Sequence, residues 1–262
     1  MKAFALMGYH AIGIGDDDLS LGKKFLLELP QNSNVTFISS NLTDEFGKPL
    51  FQRYIIKEMD GLKIGIFSLL SPDVFLGISD PRKKGLIFRD PIETAQKMIR
   101  ELGPQTDLII LLSHLGYPKE VELAQKISGI PIIVGGHSGA HLANPPVIKN
   151  TIILETSSQG KYAARLDLTL LNNKGSFYNI TTKLSLENNI NKLQLQLASV
   201  KASDAERDQW RRAKENSEKA LQQLEGNNYF TNTISPLGHQ VEDHPDIKKM
   251  IDAYKSKFPE KR

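Results

Sequence analysis

Residues Asp107–Gly139, DLIILLSHLGYPKEVELAQKISGIPIIVGGHSG, decide the fold class. They predict two short apolar strands, residues 108–112 and 131–134, with a helix between them. Each strand leads into a histidine with a glycine within two positions, His114 before Gly116 and His137 after Gly136. Open α/β sheets place ligand sites beyond the carboxyl ends of their strands, so both imidazoles are expected in one cleft. Either unit taken alone would favour a loop histidine and a simple glycine turn.

An acidic cluster precedes this stretch. Gly15-Asp16-Asp17-Asp18 follows a predicted strand, residues 11–14, and a helix is expected directly after it. Carboxylates at a helix amino end interact favourably with its dipole, and Asp18 is placed to cap the helix. Three adjacent acids in a cleft would also raise one another's pKa unless a cation or an arginine lay close. Hard cations bind such oxygens, and transition metals bind them together with imidazole.

The rest of the first two thirds also has α/β character. Asp60-Gly61 predicts a tight hairpin turn, and Asp90-Pro91-Ile92-Glu93 predicts a capped helix start. The irregular segment 77–89 carries Arg82, Lys83 and Lys84, which could hold an anionic substrate; a solvated loop is the alternative. We therefore predict an α/β core over residues 1–172.

The composition changes after residue 172. Segments 186–200 and 204–224 are rich in Lys, Glu, Gln and Leu and predict an antiparallel helical hairpin, with Trp210 at one end. A closing strand and helix are expected to complete this appendage, residues 173–262. The hairpin is the expected surface for a protein partner.

Composition and net charge exclude several kinds of partner and site. The 262 residues have 40% hydrophobic content and a net charge of +3 without a basic patch, so nucleic acid is not an expected partner. No stretch is apolar for long enough to span a bilayer, and residues 1–7 do not form a signal peptide. The absence of cysteine excludes disulfides and thiolate metal ligands.

Taken in order, three motifs resemble a known family. Gly15-Asp16-Asp17-Asp18, Ser113-His114-Leu115-Gly116 and Gly136-His137-Ser138 are similar to the signature blocks of the calcineurin-like metallophosphoesterases, specifically the 5′-nucleotidase branch, which includes bacterial thiosulfohydrolases. The resemblance covers residues 11–170. It implies a four-layer α/β/β/α sandwich that binds one or two divalent ions, Mn, Zn or Fe, at its strand ends.

The resemblance also implies residue roles. His114 and His137 match family metal ligands, Asp16 takes the place of a ligand asparagine, and Asp17 that of the catalytic histidine. Gly139 stands where the family has a further ligand, for which His141 could substitute. The family's first motif and its bridging aspartate would precede Met1, so we expect an amino-terminally incomplete sandwich lacking its first strands.

Two function classes follow from these observations. The first is a metal-dependent hydrolase of phosphate esters, expected to act on nucleotides and, by resemblance, to be periplasmic. In that case the segment with Arg82 helps to bind the anion. A sulfur ester is a further substrate class in this branch. The alternative is a non-catalytic binding or assembly module that retains the fold, holds no metal and docks a partner through residues 186–224.

Overall fold

A computed structural model describes residues 2–28, 35–77, 79–172, 176–199 and 202–258. The helices are α1 (Lys2–Leu6), α2 (Gly22–Glu28), α3 (Pro91–Leu102), α4 (Tyr117–Lys126), α5 (Ile180–Leu197), α6 (Asp204–Leu224) and α7 (Pro245–Lys257). The strands are β1 (Ala11–Gly13), β2 (Thr36–Ile38), β3 (Leu42–Thr43), β4 (Tyr54–Met59), β5 (Leu62–Leu70), β6 (Ile87–Phe88), β7 (Leu108–His114), β8 (Ile132–Gly135), β9 (Val147–Ile148), β10 (Thr151–Leu154), β11 (Tyr162–Thr169), β12 (Phe177–Asn179) and β13 (Asn228–Pro236).

A six-stranded sheet carries the two histidine units. Its strand order is β4-β5-β7-β8-β10-β9, and the four central strands, β5, β7, β8 and β10, run parallel. In the register of β7 and β8, Ser113 lies opposite Gly135. The carboxyl ends of these strands therefore share one edge of the sheet, as the sequence predicts.

A second, smaller sheet packs on this one. It pairs β1 with β2 in parallel, and β1 lies against β5 and β7. One core lies between the large sheet and α3 and α4, and includes Phe67, Met98 and Leu111. The other contains Leu26 of α2 together with Ile14. The layers therefore run α2, small sheet, large sheet, α3 with α4, which confirms the α/β/β/α sandwich.

Most predicted elements are present, with shifted ends. Asp60-Gly61 turns the β4–β5 hairpin, and Asp60 has a φ of 50°. The first hairpin helix, expected from residue 186, begins six residues earlier because the Asn179 side chain accepts a hydrogen bond from the Thr181 amide. Asp18 does not cap α2, because its carboxylate accepts from the Gly15 amide at 2.8 Å.

The chain divides into two compact units. One comprises residues 1–163 and 234–262, and the other comprises residues 164–233. The second unit holds the α5–α6 hairpin, where the Ser203 hydroxyl and the Glu206 carboxylate form a capping box. The domain boundary at residue 172 stays a prediction. Among the described residues, no helix has the length and apolar content required to cross a bilayer.

Candidate metal centre

Three side chains converge at the carboxyl edge of the sheets. His114 is the last residue of β7, His137 follows β8 by two residues, and Asp16 follows β1. One ligand atom from each lies within 4.8 Å of the other two, and this is the one such group of His, Cys, Asp or Glu that the described residues form. The sequence predicted all three as metal ligands, and the structure brings them together.

The spacing of the donor atoms suits a small cation. His114 Nε2 lies 2.9 Å from Asp16 Oδ1 and 3.2 Å from His137 Nδ1. Tetrahedral Zn²⁺ with ligand bonds of about 2.0–2.1 Å separates its ligand atoms by roughly 3.4 Å. Two imidazoles and one carboxylate are also a donor set that Zn, Mn and Fe accept. The residues present therefore fit a divalent ion.

Gly15 makes the approach of His114 possible. A Cβ placed on Gly15 would lie 2.9 Å from His114 Cε1, which is too close for an unstrained contact. With glycine there, the imidazole ring packs directly on the backbone and reaches Asp16. Glycine in the acidic motif is thus required for the candidate ligands His114 and Asp16 to meet.

Arg82 supplies the positive charge of this region. Its Nη1 lies 3.0 Å from Asp16 Oδ2 and 3.2 Å from Asp17 Oδ1, while Nε and Nη2 bind the Asp80 carboxylate. The guanidinium also stacks over the Phe75 ring at 5.1 Å. An arginine therefore neutralises the acidic cluster, the arrangement that the sequence allowed as one alternative.

The charges of this region lower the pKa values of Asp16 and Asp80. Burial raises the pKa of Asp16, but the hydrogen bond and charge of His114, together with the charge of Arg82, outweigh it and hold that pKa below its usual value. Hydrogen bonds from the Arg82 guanidinium lower the pKa of Asp80 strongly. Both carboxylates are thus anionic near neutral pH, the state that a cation requires of Asp16.

The other predicted site residues lie outside the group formed by Asp16, His114 and His137. The Asp17 side chain is 94% exposed and reaches the site only through Arg82. Lys83 lies over the Phe75 ring, and neither it nor Lys84 bonds to a carboxylate of the site within the described part of the chain. The structure does not bring His141 into the ligand group, because its ring packs on Tyr162 at 4.8 Å.

The sequence did not point to three acids that support the site. Asp80 binds Arg82 and orients its guanidinium. Glu155 accepts hydrogen bonds from Ser138 in the His137 loop, and Glu120 is buried beside it. Glu155 could have been found by the rule that identified the histidines, since it directly follows a parallel strand. Glu120 has no such signal, because it occupies an ordinary helical position.

Comparisons with known proteins agree with this geometry. A 5′-nucleotidase from Vibrio cholerae is 30% identical over 204 residues, which cover 65% of this chain and 37% of that protein. The crystal structure of a 5′-nucleotidase precursor from Thermus thermophilus matches 66% of this chain and 38% of that one at 29% identity, with a TM-score of 0.57. These matches support a resemblance of this chain, over about two thirds of its length, to the 5′-nucleotidase branch of the calcineurin-like metallophosphoesterases.

A further solved structure supports the metallophosphoesterase fold. The calcineurin-like phosphoesterase YfkN from Bacillus subtilis is 22% identical and covers 66% of this chain and 62% of that one, with a TM-score of 0.53. No family model matches the chain. The chain spans less than two fifths of the length of the Vibrio 5′-nucleotidase that it matches.

Proposed function

We propose that this chain forms the metal-binding part of a phosphoester hydrolase that acts on nucleotides. The observation that carries the proposal is the convergence of Asp16, His114 and His137 at one sheet edge. These three side chains would hold the ion. A divalent cation held there supplies Lewis acidity toward a phosphate oxygen. The substrate class is supported by the 5′-nucleotidase from Vibrio cholerae, and an exported location by the Thermus thermophilus protein, which is described as a precursor.

Arg82 is the proposed anion-binding residue. Its carboxylate partners use four of the five N–H groups of the guanidinium, leaving one at Nη2 for a phosphate oxygen. Asp80 holds the guanidinium in plane by two hydrogen-bonding atoms, so the free N–H has a defined direction. Lys83 and Lys84 on the same segment add positive charge that attracts an anion from solution.

Asp17 is the proposed catalytic side chain. It occupies the position of the family's catalytic histidine, and its exposure places it where a substrate could reach it. A carboxyl group there can accept a proton, whereas the imidazolium of the family can donate one. Replacing Asp17 with asparagine should lower kcat and leave metal content unchanged.

The test is metal analysis combined with a hydrolysis assay. Purified protein should retain Mn, Zn or Fe and hydrolyse a nucleoside 5′-monophosphate in a reaction that added Mn²⁺ increases. The substitutions His114→Ala and His137→Ala should each abolish both metal and turnover, whereas His141→Ala is the matched histidine control outside the ligand group. Histidine variants that retain full activity would overturn the proposal.

A second candidate function is partner binding through the α5–α6 hairpin. Leu195 on α5 is 75% exposed, which leaves an apolar side chain of the hairpin in contact with water. If the hairpin docks a protein, deleting residues 186–224 should abolish capture of that protein while the α/β core stays folded. Capture by the deletion variant would exclude this role.

A further inference from the structure

Two buried glutamates meet at the end of β8. Glu120 lies on α4 and is 0% exposed; Glu155 directly follows β10 and is 3% exposed. A Cβ placed on Gly135 would lie 2.5 Å from Glu120 Oε2 and 2.8 Å from Glu155 Cγ. Both side chains therefore pack on the backbone of Gly135, two residues before His137, and only glycine leaves room for them.

Glu155 is bonded to the loop that carries His137. The Ser138 hydroxyl donates to its carboxylate at 2.6 Å, and the Ala140 amide donates at 2.9 Å. The Ser138 oxygen in turn accepts a hydrogen bond from the Tyr117 amide at 3.2 Å. Loop 136–140 is thereby attached both to the strand end at Glu155 and to the start of α4.

Glu120 differs from Glu155 in its bonding. Neither of its carboxylate oxygens accepts a well-aligned hydrogen bond from the described residues, although Ser113 and Glu155 lie nearby. A buried charge without partners is strongly unfavourable, and two adjacent carboxylates cannot both ionise at low cost. Glu120 is therefore stable in its protonated form, beside the Glu155 carboxyl group that accepts hydrogen bonds from Ser138 and Ala140.

We propose that Glu155 is a positioning residue that fixes loop 136–140, and with it the His137 imidazole, in cation-binding geometry, with Glu120 as its neutral buried partner. The inference rests on the proposed metal site, since it concerns how His137 is held there. Glu155 lies outside the candidate ligand group of Asp16, His114 and His137, and it acts on His137 through Ser138. Groups that orient a ligand in this way typically change metal affinity by about 10–100-fold.

The test compares Glu155→Gln with Glu122→Gln, an exposed glutamate on α4 that serves as the control. A glutamine side chain at position 155 has one acceptor oxygen where glutamate has two. Its NH₂ group would face the Ser138 hydroxyl or the Ala140 amide, which are both donors to Glu155. Titration with Co²⁺ should show affinity at least about tenfold weaker for Glu155→Gln and unchanged for Glu122→Gln. The visible spectrum of bound Co²⁺ should also change, because the His137 ligand reorients.

Hydrogen exchange of the metal-free protein gives an independent readout. Amides of residues 136–140 should exchange faster in Glu155→Gln than in the wild type, and those of β7 should not. Ser138→Ala removes the hydroxyl that donates to Glu155 and leaves both glutamates in place, so it should also loosen the loop, and the double variant should add little. It also replaces Glu155→Gln as the test if that variant fails to fold.

The outcomes separate the two proposals. If wild-type protein binds no Co²⁺, the metal-dependent function is wrong, and loop exchange alone still decides the role of Glu155. If Glu155→Gln or Ser138→Ala lowers Tm but leaves Co²⁺ affinity, spectrum and loop exchange as in the wild type, Glu155 is merely structural and the positioning role is overturned.

Discussion

Replacing Glu120 with glutamine should remove a pH-dependent loss of stability. Burial, together with the charge of Glu155, raises the pKa of Glu120 from 4.5 to about 8. Between these two values the unfolded chain has lost the proton that the folded chain still binds. The stability that protonated Glu120 provides is therefore fully present below pH 4.5, and it is lost progressively as the pH rises to about 8.

The magnitude follows from the proton linkage of Glu120. Each pH unit in this window costs the wild-type fold about 1.4 kcal/mol, and the whole window between the two pKa values amounts to several kcal/mol. Glutamine carries no charge at any pH and lacks this slope. The variant should therefore gain about 1.4 kcal/mol on the wild type for every pH unit above 4.5, up to pH 8.

Urea denaturation at several pH values measures this difference. Wild type, Glu120→Gln and Glu122→Gln should be compared between pH 5 and pH 8 at constant ionic strength. Glu122 is an exposed partner of Lys126 with a lowered pKa, so its variant should follow the wild type over this range. A free-energy difference between Glu120→Gln and wild type that stays constant with pH would show that Glu120 has no raised pKa in the folded protein.

Three further predictions concern single positions. Gly135→Ala should lower the free energy of unfolding by about 1–3 kcal/mol in urea denaturation, because its Cβ would overlap Glu120, whereas Gly103→Ala, with open space around its Cβ, should not. Arg82→Gln should tighten Co²⁺ binding several-fold and raise KM for a phosphate ester, because the guanidinium competes for Asp16; calorimetry showing unchanged affinity would contradict this. Ser203→Ala should cost about 1 kcal/mol in thermal unfolding by removing the capping box; an unchanged Tm would contradict this.

The sheet edge and its histidines could be predicted because the signals are local. The apolar run before His114 and the one before His137 each specify a strand, and a helix between them makes the strands parallel. Adjacent parallel strands have their carboxyl ends at the same edge of the sheet. The order of elements along the chain is therefore enough to predict that the two imidazoles lie close together. The same rule places Asp16 after β1.

The buried glutamates and the ion pairs of Arg82 were harder to predict because they depend on tertiary contacts. Glu120 and Glu155 are 35 positions apart, and each is unremarkable in its own element. Their meeting at Gly135 depends on how α4 packs over β8 and β10, which no local pattern specifies. Arg82 was predicted at the site from its charge, but its pairing with Asp80 and Asp16 required the fold.

Titration with Co²⁺ shows whether Asp16, His114 and His137 form a cation site. Wild-type protein should bind the ion with a visible spectrum typical of nitrogen and oxygen ligands, and His114→Ala and His137→Ala should each abolish binding while His141→Ala does not. Binding that survives both His114→Ala and His137→Ala, or wild-type protein that binds no Co²⁺, would contradict this assignment.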